Sequence, residues 1–349
     1  MTDFLDEPPY AERRDDWLLE RMAELTRFHA AHCPPYRRIL GGWQGAETLA
    51  DIPYLHVGVF KHLEMRTQDG SIVHERTLNS SATSSGMPSR IVLDRDSARQ
   101  QARAAQTVLE DFVGGNRRVL LLLDSSRSLR RSGLIAARTA AAMSLLPFAE
   151  RTVFLLDDAD NPASLREEAL LRELEGGSDF LVYGFTWLLW FAWARAPWRR
   201  DRVAELLRGK TITFVHSGGW KRLENARVSA AELEQALLEE LSPQSRVIDF
   251  YGLAEQSGVV FPACPAGWRH VPFWADVIVR DPVSWAPMAE GVGVLQLMNP
   301  IPRGSPYHSV VTEDLGEAGQ GPCPCGRHGK RFRLIGRVPR SEVRGCANV

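Results

Sequence analysis

The sequence predicts an α/β protein: a mostly parallel sheet flanked by helices, then a C-terminal antiparallel β subdomain. Two observations predict it. Over about residues 85–255, short apolar runs alternate with helical stretches, the βαβα order of a parallel sheet. Beyond Gly258, strand-like runs follow one another across Pro/Gly turns with no clear helix between them. The expected division is an N-terminal helical and entry segment (1–76), an α/β core (77–258), a β-rich subdomain (259–337) and a tail (338–349).

The elements follow in order. Arg13 to Cys33 carries Trp17, Leu18, Met22, Leu25 and Phe28 at helical spacing, and Pro34-Pro35 reads as its stop. Pro53 to Phe60 reads as a loop entering a strand, Thr77 to Arg90 as a Ser/Thr-rich loop, Ile91 to Leu93 as a strand and Ser97 to Val113 as a helix. Val119 to Leu123 is unbroken apolar sequence, as in strands covered on both faces. Strands follow at Val153 to Leu156, Phe180 to Tyr183, Thr211 to Val215 and Arg246 to Phe250. Helices alternate with them at Leu134 to Leu146, Ala163 to Leu174, a stretch with Trp187, Trp190 and Trp193, and Ala230 to Leu241. The tryptophans suit core packing or a pocket wall. The last strands are His270 to Arg280, Val292 to Met298, Ser309 to Thr312 and Arg331 to Ile335, an antiparallel and barrel-like set.

Composition narrows the function. Of 349 residues, 44% are hydrophobic and 24% charged, ordinary for a globular chain. A net charge of -1 gives no pull toward nucleic acid. No apolar run approaches the roughly 20 residues that span a bilayer. The acidic, proline-containing N-terminus has no signal-peptide core. The expectation is a cytoplasmic enzyme without a nucleic-acid or membrane partner. The five cysteines are odd in number and clustered toward the C-terminus, which points to metal or thiol chemistry rather than a disulfide framework.

Five segments carry chemistry. Ser80 to Ser89 is a hydroxyl-rich loop with Gly86, able to wrap phosphate oxygens, though its composition also suits a surface loop. His216-Ser217-Gly218-Gly219-Trp220 follows a strand, where paired glycines allow close ligand approach. Tyr251-Gly252-Leu253-Ala254-Glu255 places an aromatic ring, a glycine and a carboxylate at another strand end. Thr312 to Gly316 reads as an acidic turn, and Gly336-Arg337 follows a basic run.

In this order the five segments resemble the adenylate-forming ligase superfamily. Pro88-Ser89-Arg90-Ile91, Gly218 to Leu223 and Arg344-Gly345-Cys346 are similar to the acyl-protein synthetases of bacterial luminescence operons, the LuxE family, and next to phenylacetate–CoA ligases. The resemblance spans about residues 15–349. It implies the large domain of an adenylate-forming ligase, ATP-dependent activation of a carboxylic acid to an acyl-adenylate, and release of pyrophosphate. It implies that Ser81, Thr83, Ser84, Ser85 and Gly86 hold ATP phosphates. Gly218, Gly219, Tyr251 and Gly252 form the adenine site, Asp314 bonds the ribose, Arg337 lies near the nucleotide and Glu255 helps hold Mg²⁺. Thr83 departs from the usual glycine, and a β-branched residue resists positive φ, so the loop is expected either to take another shape or to bind pyrophosphate poorly. The small mobile C-terminal domain is expected to be absent, as in LuxE-type chains.

The resemblance also implies that Cys346 accepts the acyl group as a thioester and delivers it to a partner such as an acyl reductase. The adjacent arginines favour its thiolate. Two alternatives stay open: transfer to CoA or a carrier protein, and a non-catalytic zinc-stabilised partner subunit. His216, beside Gly218-Gly219, is a candidate substrate contact and is grouped with Glu255 and Cys346 as catalytic. Cys264, His270, Cys323 and Cys325 form a soft-donor set that suits structural Zn²⁺ or, alternatively, four reduced or buried groups. His328 is a substitute ligand, and Cys33 reads as helix-end packing. The acid, fatty or aromatic, is left open.

Overall fold

Chain order and pairing build the parallel sheet where the alternation predicts it. The computed structural model describes residues 3–79, 88–130, 134–196 and 202–338. Helices α1 (Asp15–His32) and α2 (Pro34–Leu40) come first. Pro34 and Pro35 therefore stop one helix and start the next, since a missing N–H is harmless in a first turn and the ring fixes a helical φ. Then come β1 (Leu55–His56), α3 (Val59–His62), β2 (His74–Asn79), β3 (Arg90–Asp94) and α4 (Arg95–Val113). Next are β4 (Arg118–Leu122), β5 (Leu134–Ala136), α5 (Ala137–Met143), β6 (Ala149–Phe154), α6 (Glu167–Gly176) and β7 (Asp179–Phe185). The core closes with α7 (Thr186–Leu188), which continues as a π-helical stretch Leu189–Ala194, then α8 (Arg202–Leu207), β8 (Thr211–Ser217), α9 (Ala230–Leu238) and β9 (Arg246–Tyr251).

Strands β9, β8, β7, β4 and β6 lie side by side in that order, all parallel, with β10 (Phe261–Pro262) antiparallel against β9. Leu120, Leu121, Leu181, Val182, Phe214 and Val215 are fully buried, which explains their unbroken apolar runs. From β4 the chain crosses to β6 on one side. From β7 it crosses to β8 on the other. The carboxyl ends of β4 and β7 thus flank the point where the strand order reverses, the usual ligand crevice of open α/β sheets.

The second sheet contains β11 (Arg269–His270), β12 (Asp276–Arg280), β13 (Pro287–Met288), β14 (Val292–Met298), β15 (Ser309–Ala318) and β16 (Arg331–Arg337). Its order is β11-β16-β15-β14-β12-β13, an open path of antiparallel pairs rather than a closed barrel. β1 adds to β15 in parallel, with Leu55 opposite Val310. Leu18 and Met22 of α1 pack in a cluster with Met298, so the first sixty residues dock on this sheet.

Further expectations change: the run His270 to Arg280 is not one strand but the end of β11 and the whole of β12. The ends of the Thr77–Arg90 loop are strands: β2 and β3 pair antiparallel, Thr77 opposite Val92 and Asn79 opposite Arg90. The stretch read as a helix from Leu134 opens as β5, paired in parallel with β2. The acidic segment Thr312 to Gly316 lies inside the ten-residue strand β15, not in a turn. In the last three cases a partner strand elsewhere in the chain supplies the backbone hydrogen bonds that make the segment a strand. The tryptophans are core: Trp187, Trp190 and Trp193 are all buried, with Trp187 also lining the cleft described next.

Candidate active site

Gly218, Gly219, Tyr251, Glu255, Asp314 and Arg337 line one open cleft of about 2910 Å³, to which both larger sheets and the small sheet β3-β2-β5 contribute residues. Tyr251 ends β9 and Asp314 lies in β15. The Tyr251 hydroxyl donates to Asp314 Oδ2 at 2.8 Å. Asp314 pairs in register with Arg337 across β15 and β16, and Arg337 Nε lies 3.4 Å from Asp314 Oδ1. Burial raises the Asp314 carboxyl above its ordinary value, while the Tyr251 and Arg337 contacts pull it down. The Tyr251 ring is packed against Phe261 and Phe332, so the core fixes its position. The result is a carboxylate at a cleft wall, oriented by a phenol and paired with a guanidinium that is 59% exposed.

Gly218 and Gly219 follow β8 directly. Both have positive φ, 78° and 58°. A Cβ on Gly218 would sit 2.9 Å from the Phe185 ring, whereas one on Gly219 meets nothing within 4 Å. Gly218 is therefore needed for packing and backbone together, Gly219 for backbone alone. Gly252 leaves an ordinary contact to Val260 beside Tyr251. Glu255 is buried at the cleft, and burial raises its carboxyl above the usual range. A carboxylate oxygen is a suitable Mg²⁺ ligand, and a cation there would favour its ionised form.

His216, in β8, is opposite Asp249 of β9 in the parallel register. Its Nδ1 lies 3.0 Å from Thr186 Oγ1 and 3.6 Å from Asp249 Oδ1. Arg269 is ion-paired to Asp249 and donates to the backbone carbonyls of Asp249 at 3.0 Å and Phe261 at 2.9 Å. Sequence reasoning missed Asp249 and Arg269. The available signal was a lone acid in the apolar run Val247-Ile248-Asp249-Phe250. It also missed Asp124, which is buried after β4 and bonded by Ser125 N and Ser128 Oγ at 2.7 and 2.8 Å, with Arg138 Nε at 3.5 Å.

Cys264, His270, Cys323 and Cys325 converge. Their four ligand atoms all lie within 4.8 Å of one another. Cys264 Sγ is 3.8 Å from Cys323 Sγ and Cys325 Sγ is 3.2 Å from His270 Nε2. A tetrahedral site with Zn–S of about 2.3 Å separates two sulfurs by about 3.8 Å, so the donor set fits zinc. His328, the substitute, is not part of the cluster. Tyr10 lies edge-on to His270, and Arg327 bonds Asp111 at 2.6 Å, so the cluster joins the N-terminal segment and α4 to the β subdomain. Cys33 is buried at the end of α1, as expected. The expected phosphate-loop residues Ser81, Thr83, Ser84, Ser85 and Gly86, and the expected acyl acceptor Cys346, lie outside the described residues.

The family model described as acyl-protein synthetase, LuxE, matches residues 20–349. The long-chain-fatty-acid–luciferin-component ligase of Aliivibrio fischeri is 22% identical over 98% of this chain and 92% of its own length. That of Vibrio harveyi is 24% identical over 95% of this chain and 88% of its own. Among solved structures, an open conformation of 2-hydroxyisobutyryl-CoA ligase superposes with a TM-score of 0.66 at 16% identity, covering 97% of this chain and 81% of that one. The adenylate-forming ligase fold is thus present. Among the described residues, no helix is long and apolar enough to cross a membrane.

Proposed function

The chain belongs to the acyl-protein synthetase family LuxE and is an ATP-dependent ligase, and on that premise we propose that it activates a carboxylic acid as acyl-AMP and transfers the acyl group to Cys346. The observation that carries this reading is the Tyr251–Asp314–Arg337 unit at the cleft beside Gly218-Gly219. Asp314 accepts bonds from the ribose hydroxyls, and Arg337 offsets phosphate charge next to it. The glycine pair lets the nucleotide approach the end of β8, with Tyr251 and Gly252 at the end of the neighbouring strand β9. Glu255 supplies a carboxylate for Mg²⁺, which when bound neutralises phosphate charge. The acid's carboxylate attacks the α-phosphorus and pyrophosphate leaves. The Cys346 sulfur then attacks the acyl carbon, AMP leaves, and the thiol proton passes to solvent. An acyl reductase is the natural consumer of the thioester.

Cys264, His270, Cys323 and Cys325 hold a structural zinc in this reading. Three thiolates and one imidazole fill a tetrahedral ion with no position left for substrate, so no reaction step runs through it.

The test is acid-dependent exchange of pyrophosphate into ATP over a broad acid panel, followed by intact-protein mass measurement. Cys346→Ser should keep exchange and lose the acyl adduct. Acylation that persists in this variant overturns the Cys346 assignment. Turnover only with added CoA or carrier protein assigns the acceptor to them. No exchange with any acid assigns the chain to a non-catalytic partner subunit.

A further inference from the structure

The hydrogen-bond chain behind His216 fixes which face of its ring is offered to the cleft. Thr186 Oγ1 donates its proton to the Ser217 carbonyl, 3.3 Å away. The same oxygen lies 3.0 Å from His216 Nδ1, so it accepts there and Nδ1 carries the hydrogen. Asp249 Oδ1, 3.6 Å from Nδ1, favours the same tautomer. Burial holds the His216 pKa below its ordinary value despite Asp249, so the ring is neutral near pH 7. Nε2 is then a bare acceptor, without a partner among the described residues, on a side chain that lines the cleft. Phe185 lies over Gly218, and Trp187 and Trp220 line the same cleft, so apolar walls flank the polar group of His216, Thr186, Ser217, Asp249 and Arg269.

A plain alkyl chain or unsubstituted ring packed on this wall would take water from Nε2 and return no hydrogen bond, at a cost of roughly 1–3 kcal/mol. A hydroxyl or amino group on the acid would satisfy it. We propose that the acid activated by this chain carries an O–H or N–H donor that bonds His216 Nε2, with Thr186 and Asp249 as positioning residues and Arg269 anchoring Asp249. This rests on the adenylation reading and names its substrate class.

The experiment compares matched acids in pyrophosphate exchange: para-hydroxybenzoate and para-aminobenzoate against benzoate and para-methoxybenzoate, and hydroxylated octanoates against octanoate. Within at least one set, the donor-bearing acid should have kcat/KM higher by roughly 10- to 100-fold. His216→Leu should bring that ratio close to one, and His216→Gln, which keeps an acceptor, should restore part of it. Thr186→Val, which frees the tautomer, should lower the ratio with a smaller effect on KM for ATP. Equal or better use of the unsubstituted acids overturns the proposal, as does an unchanged ratio in a folded His216→Leu protein. So does a His216→Leu protein that keeps acid selection but loses acyl transfer, which would make His216 the base for the thiol. If no acid supports exchange, the adenylation reading fails, and calorimetric binding of the same pairs still decides whether the donor is recognised.

Discussion

Tyr251 and Asp314 are separated by 63 residues, yet the phenol donates to the carboxylate at 2.8 Å, tying the end of the parallel sheet to the middle of the antiparallel one. The bond favours the ionised carboxylate and opposes the upward pull of burial. Tyr251→Phe removes it, so the Asp314 pKa should rise further. The acid limb of the exchange pH profile should move to higher pH. Asp314→Asn should raise KM for ATP by roughly 10- to 100-fold, the scale of a lost hydrogen bond to a charged group. Unaltered ATP dependence in Asp314→Asn would remove Asp314 from the nucleotide site.

The two glycines should separate in mutagenesis. Gly218→Ala meets both a positive φ and the Phe185 ring at 2.9 Å, while Gly219→Ala meets only the backbone cost. Forcing an L-residue into this region costs about 1–2 kcal/mol. Gly219→Ala should lose about that much stability and Gly218→Ala more, read from denaturant midpoints. Equal losses would show that Phe185 moves aside without cost.

Metal removal should be visible both in composition and in stability. Mass spectrometry of the native protein should find one zinc per chain. Cys264→Ser should lower that occupancy, and a strong chelator should lower Tm by several degrees, at roughly 2–4 °C per kcal/mol for larger domains. Binding should weaken in acid because the thiols must lose protons. A protein purified without metal and equally stable with chelator would return the cluster to buried thiols and an imidazole.

His29 and His308 stack in the core with ring centroids 5.0 Å apart, between α1 and the segment preceding β15. Burial lowers His29 from 6.5 to about 3, and His308 is depressed in the same direction. The unfolded chain binds protons here that the folded chain refuses. Stability is therefore full above the unfolded pKa and is lost as pH falls from 6.5 toward 3. Each histidine should contribute a slope of up to about 1.4 kcal/mol per pH unit. Urea titrations between pH 7 and 5 measure it, and His308→Asn should flatten the slope by about one histidine's share.

Much of this was legible without coordinates. Unbroken apolar runs at Val119 to Leu123 and Phe180 to Tyr183 are strands because burial on both faces leaves no polar positions. The order of Gly218-Gly219, Tyr251-Gly252 and Arg337 identified one cleft, and all five residues line it. The soft donors from Cys264 to Cys325 announced a cluster across sixty residues, and their ligand atoms meet. Local chemistry sufficed where the residue type itself limits the environment that can hold it.

The tertiary structure decided what depends on a distant partner. Thr77 to Asn79 is a strand only because Arg90 to Val92 lies beside it, and Asp314 sits in a strand only because β14 and β16 flank it. The lone Asp249 interrupts an apolar run. Its meaning came from His216 across the sheet, 3.6 Å from its carboxylate, and from Arg269 of the second sheet, which is ion-paired to it. Sequence determines which groups a chain has to offer. Which lone pair faces a ligand is settled by hydrogen bonds between strands that only folding brings within about 3 Å of each other.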